Sequence, residues 1–221
     1  MKKRILDFLS HYRHGAILSY FVFYLIAFFY LEAHIRPRIW VYSSLDNLIP
    51  FCEYFIVPYL LWFAYVAAVV IFFLFKSPKE FYQLCGFLFT GMTICLILYV
   101  LFPNGHHLRP YYFAHDNMFV DLVKGLYETD TATNVNPSIH TLNSLAVHTA
   151  IWRSPFFEKK PTIRYGSLIL CILIILSTVF LKQHSVEDVF NAFLLAAPLY
   201  LIFYRKDVAP ARRRHHGKLQ Y

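Results

Sequence analysis

The sequence predicts an all-α polytopic membrane protein, a single domain over residues 1–221 built as a bundle of six transmembrane helices. A short amphipathic surface helix is expected in the loop between the third and fourth spans. Three observations predict this class. The chain is 58% hydrophobic with a mean hydropathy of +0.46, and it is only 15% charged, where water-soluble chains carry about 25%. It holds 23 Phe and 17 Tyr, a supply suited to aromatic girdles at the lipid headgroups. Its apolar runs are long enough, at ~1.5 Å per residue, to cross a hydrocarbon core of ~30 Å. The formal charge of +8 falls in short clusters between those runs, as orienting a membrane protein requires, so lipids rather than nucleic acid are the expected partners.

The first span reads from Gly15 to Leu31 and closes on Glu32, His34, Arg36, Pro37 and Arg38. Basic residues at Met1–Arg4 precede it, but the run is long and lacks a small-residue cleavage site, so a retained helix is expected. Tyr42 to Pro50 reads as a short surface segment. Phe51–Phe75 forms the second span and Phe81–Phe102 the third, with a tight polar turn between them. Asp116–Tyr127 places Met118, Phe119, Leu122, Val123 and Leu126 at helical spacing, which predicts the amphipathic helix. Tyr165–Leu181 and Val186–Tyr204 are the fifth and sixth spans, the latter with a kink expected at Pro198. All four cysteines lie in apolar runs without metal spacing and read as small buried hydrophobes.

The fourth span, Pro137–Trp152, is the hard one. It contains His140, Thr141, Asn143, Ser144, His148 and Thr149 and fails a simple hydropathy test. Charge decides for it. With six spans and both termini cytoplasmic, only Arg36, Arg38, Arg109, Lys124 and Lys182 are left outside, and the remaining Lys and Arg, including the basic tail at 205–221, lie inside. Deleting the fourth span reverses everything after it and puts most of the 21 basic residues outside, against the positive-inside rule.

Six spans bring three polar clusters to the non-cytoplasmic face: Arg109 with Pro110, then Pro137 to His140, then Lys182, His184 and Asp188. Four residues apart, His184 and Asp188 share one face of a helix, so the carboxylate can hold one imidazole nitrogen and leave the other free as a nucleophile. The plainer reading is a polar helix end at the membrane surface, and for this pair alone the two stand level. Asn136 as N-cap and Pro137 at the first helical position would start the fourth helix with free backbone N–H groups facing the site. Arg109 and Lys182 would add positive charge and Ser138 a hydroxyl donor, a set suited to a phosphoryl group rather than a metal. His106, His107 and His115 have no metal-ligand spacing, and no metal or cofactor is expected. Glu187 reads as solvated, Glu53 as a carboxylate at headgroup level, and His148 as a buried His bonded to a neighbouring helix.

These clusters resemble the type 2 phosphatidic acid phosphatase superfamily, which includes the vanadium haloperoxidases. Pro137, Ser138, Ile139 and His140 match its Pro-Ser-x-His motif. Ser177 and Thr178, five residues, His184, three residues and Asp188 match its third motif in order and spacing. Its first motif is half present: Arg109 and Pro110 stand, but Phe102 occupies the place of a Lys, and Thr178 replaces an Arg. The Ser-Thr start with Lys182-Gln183 before the His is similar to the branch containing inositol phosphorylceramide synthases.

The resemblance implies catalytic loops at 103–140 and 177–188. In it, His184 attacks phosphorus, Asp188 holds its tautomer, and His140 protonates the departing lipid oxygen and then activates water or an acceptor hydroxyl. Arg109, Ser138, Lys182, Ser177 and Thr178 are the implied phosphate-binding residues. The expected function is therefore hydrolysis of a lipid phosphate or diphosphate at the outer face of a bacterial cytoplasmic membrane. Transfer of a phospho-headgroup to an acceptor hydroxyl is the alternative, and a non-enzymatic lipid transporter with the same fold is a third.

Overall fold

In this computed structural model residues 12–205 are described. Met1–Arg4 and the basic tail beyond Arg205 lie outside them. A 3-10 turn at Arg13–Ser19 leads into α1 (Tyr20–His34). The second and third long helices are α2 (Ile56–Lys76) and α3 (Pro78–Leu101), separated by one residue, Ser77, whose hydroxyl accepts from Glu80 N–H and caps α3. The shorter α4 (Met118–Thr129) and α5 (Ile139–Arg153) follow, then α6 (Pro161–Phe180) and α7 (Val186–Tyr204), which carries Pro198 internally.

Five described helical segments, ending in α1, α2, α3, α6 and α7, are long and apolar enough to cross a membrane. Their outward faces carry large exposed apolar side chains such as Phe23, Ile26, Phe63, Ile169 and Ile202. Water would penalise that surface, and hydrocarbon would not. Helix α5 is not among the five. It has 15 residues, and Leu142, Asn143, Ser144, Ala146, Val147 and Ala150 are all buried. It packs against α7, α6, α3 and α2, so its polar side chains meet protein rather than lipid. Gly91 of α3 lets it approach closely: a Cβ there would lie 2.7 Å from Leu142 and 3.2 Å from Leu199.

Two small devices hold the loops over one end of the bundle. A parallel bridge pairs β1 (Ile39–Trp40) with β2 (Asn104–Gly105), and Gly105 also bridges Thr133. Glycine is needed there, because a Cβ would sit 2.7 Å from the Ala132 carbonyl oxygen and 2.9 Å from Pro37. Helix α4 is capped by Asn117, whose Oδ1 accepts from Phe119 and Val120 N–H. It buries Val123 in a cluster with Ile56, Tyr59 and Leu181, while Met118 and Leu122 stay exposed.

The segment 42–50 before α2 is largely exposed, as a surface stretch, with one buried exception. Asp46, within the 3-10 turn Ser44–Asn47, is buried. Its carboxylate accepts from Ser43 N–H, Ser185 Oγ and Val186 N–H, so it caps α7 from 140 residues away in sequence. Glu53 is likewise buried. It accepts from Asn117 Nδ2 at 3.1 Å and pairs with His115 Nδ1 at 2.8 Å.

Candidate active site

The turn between α6 and α7 carries the third motif, and its geometry is set by Thr178. The Thr178 carbonyl accepts from both Gln183 N–H at 2.9 Å and His184 N–H at 3.0 Å. Lys182 takes φ +52°, the left-handed region, to close that turn. His184 therefore sits ahead of α7 and not on it, contrary to the shared helix face expected from spacing. Asp188 lies in the first turn of α7, and its Oδ2 accepts from the Ser185 N–H at 2.8 Å and from His184 Nδ1 at 3.2 Å. One carboxylate oxygen thus caps the helix and orients the imidazole. Because a carboxylate accepts only, Nδ1 carries the hydrogen and Nε2 keeps a free lone pair.

His140 comes from the first turn of α5. That helix starts two residues later than the sequence suggested: Ser138 is the N-cap, accepting from Thr141 N–H, and Ile139 is the first helical residue. Asn136 and Pro137 are not helical, because both are fastened elsewhere. The Pro137 carbonyl accepts from Tyr99 OH, the Asn136 carbonyl from Asn104 Nδ2, and Ser138 N–H donates to the Asp188 carbonyl. The second and third motifs are thereby joined through their backbones. The His140 ring lies between Tyr59 and Trp62, with centroids at 4.6 and 4.4 Å, and 5.8 Å from the His184 ring.

Both histidines line a cavity of about 310 Å³. Leu25, Phe28 and Phe29 of α1 and Phe63 of α2 form its apolar wall, and Thr129, Asp130, Thr131, Thr133 and Asn134, with Gln183, form its polar edge. Three buried N–H groups in and beside it have no acceptor: Trp62 Nε1, Asn134 Nδ2 and Arg109 Nε. Buried donors left unpaired are costly. Asn134 holds a left-handed φ of +55°, fixed by its N–H on the Asn104 carbonyl.

The structure brings His184, His140 and Asp188 together, with Ser138 joined to Asp188 through its backbone. The other expected phosphate-binding groups have partners of their own and do not line the cavity. Arg109 stacks on Tyr127 at 4.2 Å and donates to the carbonyls of Tyr127 and Asp130 and to Gln183 Oε1. Burial pulls its guanidinium below the usual value, and Asp130 opposes that. Lys182 Nζ donates to the carbonyls of Asp46 and Ile49. Burial lowers its pKa too, with Asp46 acting the other way. The Ser177 and Thr178 hydroxyls donate back to Ile174 and Ile175 of their own helix.

Sequence reasoning noted Gln183 only as a likeness beside Lys182 and gave neither it nor Asp130 a role in the site. Gln183 Nε2 lies 3.4 Å from Asp130 Oδ2, which also accepts from Tyr59 OH at 2.7 Å. Arg109, Gln183, Asp130 and Tyr59 form one chain of contacts reaching the cavity. Asp130 belongs to no motif, and spacing does not show that Gln183 would meet it.

The loop histidines go to separate partners. His107 stacks on Trp40, His115 meets Glu53, and His106 Nε2 donates to the Gln183 carbonyl while its Nδ1 accepts from Leu108 N–H. His148 meets Ser167 of α6 at 3.1 Å, and Glu187 is exposed.

Burial first, then His184, pushes the His106 pKa down to about 3. The folded protein therefore stays unprotonated there while the unfolded chain takes up a proton near pH 6.5, so stability falls as pH drops from 6.5 towards 3. The expected loss between pH 7 and pH 5 is at most about 2 kcal/mol. Thermal unfolding in detergent should show that slope, and His106→Gln should flatten it.

A family model for the PAP2 superfamily matches residues 106–209. The match contains Arg109, both histidines and Asp188, and it begins after Phe102. No curated protein and no solved structure matches the chain.

Proposed function

We propose that the chain is a membrane-embedded phosphatase or phosphotransferase of the PAP2 superfamily, acting on the phosphorus of a lipid phosphate ester through a phosphohistidine. The observation that carries this is the pairing of an Asp188-held His184 with His140 across one cavity whose wall is apolar. His184 Nε2 forms the N–P bond as the lipid-side P–O bond breaks, and His140 gives its proton to the departing lipid oxygen. Water or an acceptor alcohol then forms a new P–O bond as N–P breaks, and His140 takes back a proton. Trp62 Nε1 and Asn134 Nδ2, which line the cavity and lack acceptors, are the donors for the phosphoryl oxygens, in place of the cations missing at Phe102 and Thr178.

In this reading α5 is a sixth crossing, shielded from lipid by its neighbours, both termini are cytoplasmic, and the histidines face the other side. Hydrolysis of a lipid phosphate or diphosphate and phospho-headgroup transfer of the inositol phosphorylceramide synthase type share this machinery. The test is trapping: purified protein mixed briefly with phosphorus-labelled lipid and quenched in alkali should retain acid-labile label. Label retained in His184→Ala would refute the reading.

A further inference from the structure

Phosphoryl cavities need positive charge, and this one lacks it. Among its described lining residues there is no Lys or Arg. The two cations the sequence offered for the site do not line it: Arg109 is held on the Tyr127 and Asp130 carbonyls and on Gln183 Oε1, and Lys182 on the turn at 46–49. The cavity does contain a carboxylate, Asp130, which sits among Thr129, Thr131 and Thr133 on the polar edge. It is fixed there by Tyr59 OH and Gln183 Nε2 on one oxygen. Next to it Asn134, only 5% exposed, holds an N–H without an acceptor. A dianion entering this cavity meets neutral donors and a like charge. A monoanion meets the same donors with half the repulsion, and polar substituents on its phosphorus find the Thr hydroxyls and the carboxylate.

We propose that Asp130 is a specificity residue that selects phosphodiester lipids, whose phosphorus group carries one negative charge, over phosphomonoester lipids, which carry about 1.5 to 2 at pH 7. This rests on the reading of the histidines given above and adds to it the substrate class. The diacylglycerol end lies along Leu25, Phe28, Phe29 and Phe63, beside His140, and the headgroup lies at the 129–134 edge. His184 Nε2 bonds to phosphorus, the P–O bond to the diacylglycerol breaks, and the His140 proton goes to that oxygen. The headgroup stays on phosphorus until water or an alcohol displaces the histidine and returns a proton to His140.

Cleavage on this side releases diacylglycerol from mono- and diesters alike, so one product reports all substrates. The full chain in detergent is given phosphatidic acid, phosphatidylglycerol and phosphatidylcholine of identical acyl chains, and diacylglycerol release is measured for wild type, Asp130→Asn and Asp130→Glu. Wild type should turn over at least one diester with a higher kcat/KM than phosphatidic acid. Asp130→Asn should move that ratio about tenfold towards phosphatidic acid, through KM, with Asp130→Glu close to wild type. A merely structural Asp130 would lower all three rates together. Turnover that depends on His184 but has an unchanged ratio in Asp130→Asn, or a wild-type preference for phosphatidic acid, overturns the charge selection alone. No turnover of any lipid by folded protein overturns the histidine reading and the selection with it.

Discussion

His184→Ala should lower turnover by at least about 10³-fold, and His140→Ala by about 10² to 10⁴-fold, but the two should fail differently. Without His184 there is no atom to bond phosphorus, so neither product nor trapped label forms. Without His140 the first step lacks its acid and the second its base. A substrate with a p-nitrophenol leaving group needs no acid, because phenolate departs unaided. On that substrate His140→Ala should release one equivalent of nitrophenol in a burst and then stall as phosphohistidine, while His184→Ala shows no burst. The geometry motivates the split, since Nε2 of His184 is left free by Asp188 and His140 stands one ring contact away. Equal loss of the burst in both variants would mean that His140 does not act as this acid and base.

What was legible in the sequence was the set of contacts that short spacing encodes. The His184 and Asp188 pair shows in a four-residue interval, although the structure makes the contact through a capping turn and not along a helix. The long apolar helices are legible because lipid-facing surfaces need long apolar runs. Helix α5 is legible only indirectly. Hydropathy measures exposure to lipid, and residues such as Asn143 and Ser144 are packed among other helices, so composition and position disagree there for a physical reason.

Side-chain direction was the other loss. Lys182 has the charge that suits a phosphate, but the left-handed backbone of its turn directs Nζ to carbonyl oxygens at Asp46 and Ile49. Arg109 faces a similar competition and meets Tyr127, Asp130 and Gln183 instead. Asp46 illustrates the converse. Its sequence neighbours say surface turn, and only the fold reveals that it takes the Ser185 hydroxyl and the first N–H of α7, Val186. Long-range satisfaction of polar groups has no local pattern.

The residue whose loss should cost most in stability is of this silent kind. Asn104→Ala removes four hydrogen bonds at once: Oδ1 accepts from Val135 and Asn136 N–H at 2.9 and 2.8 Å, and Nδ2 donates to the Phe102 and Asn136 carbonyls. Both ends of the amide are matched in kind, so its orientation is fixed. Asn104 is buried, and backbone groups stranded there cost about 1–3 kcal/mol each, which sets the expected destabilisation at roughly 3 kcal/mol or more. The function should fall further than the stability. The same segment sets the left-handed Asn134 and delivers Pro137 and Ser138 to Tyr99 and Asp188, so a loosened 134–138 moves His140 relative to His184. Asn104→Asp should not rescue it: the acid keeps both acceptor contacts but turns a buried carboxylate oxygen onto the Phe102 and Asn136 carbonyls, so its unfolding temperature, measured in detergent, should stay well below wild type. If Asn104→Ala unfolds at the wild-type temperature with unchanged kcat, the loop is held by the bundle and not by this amide.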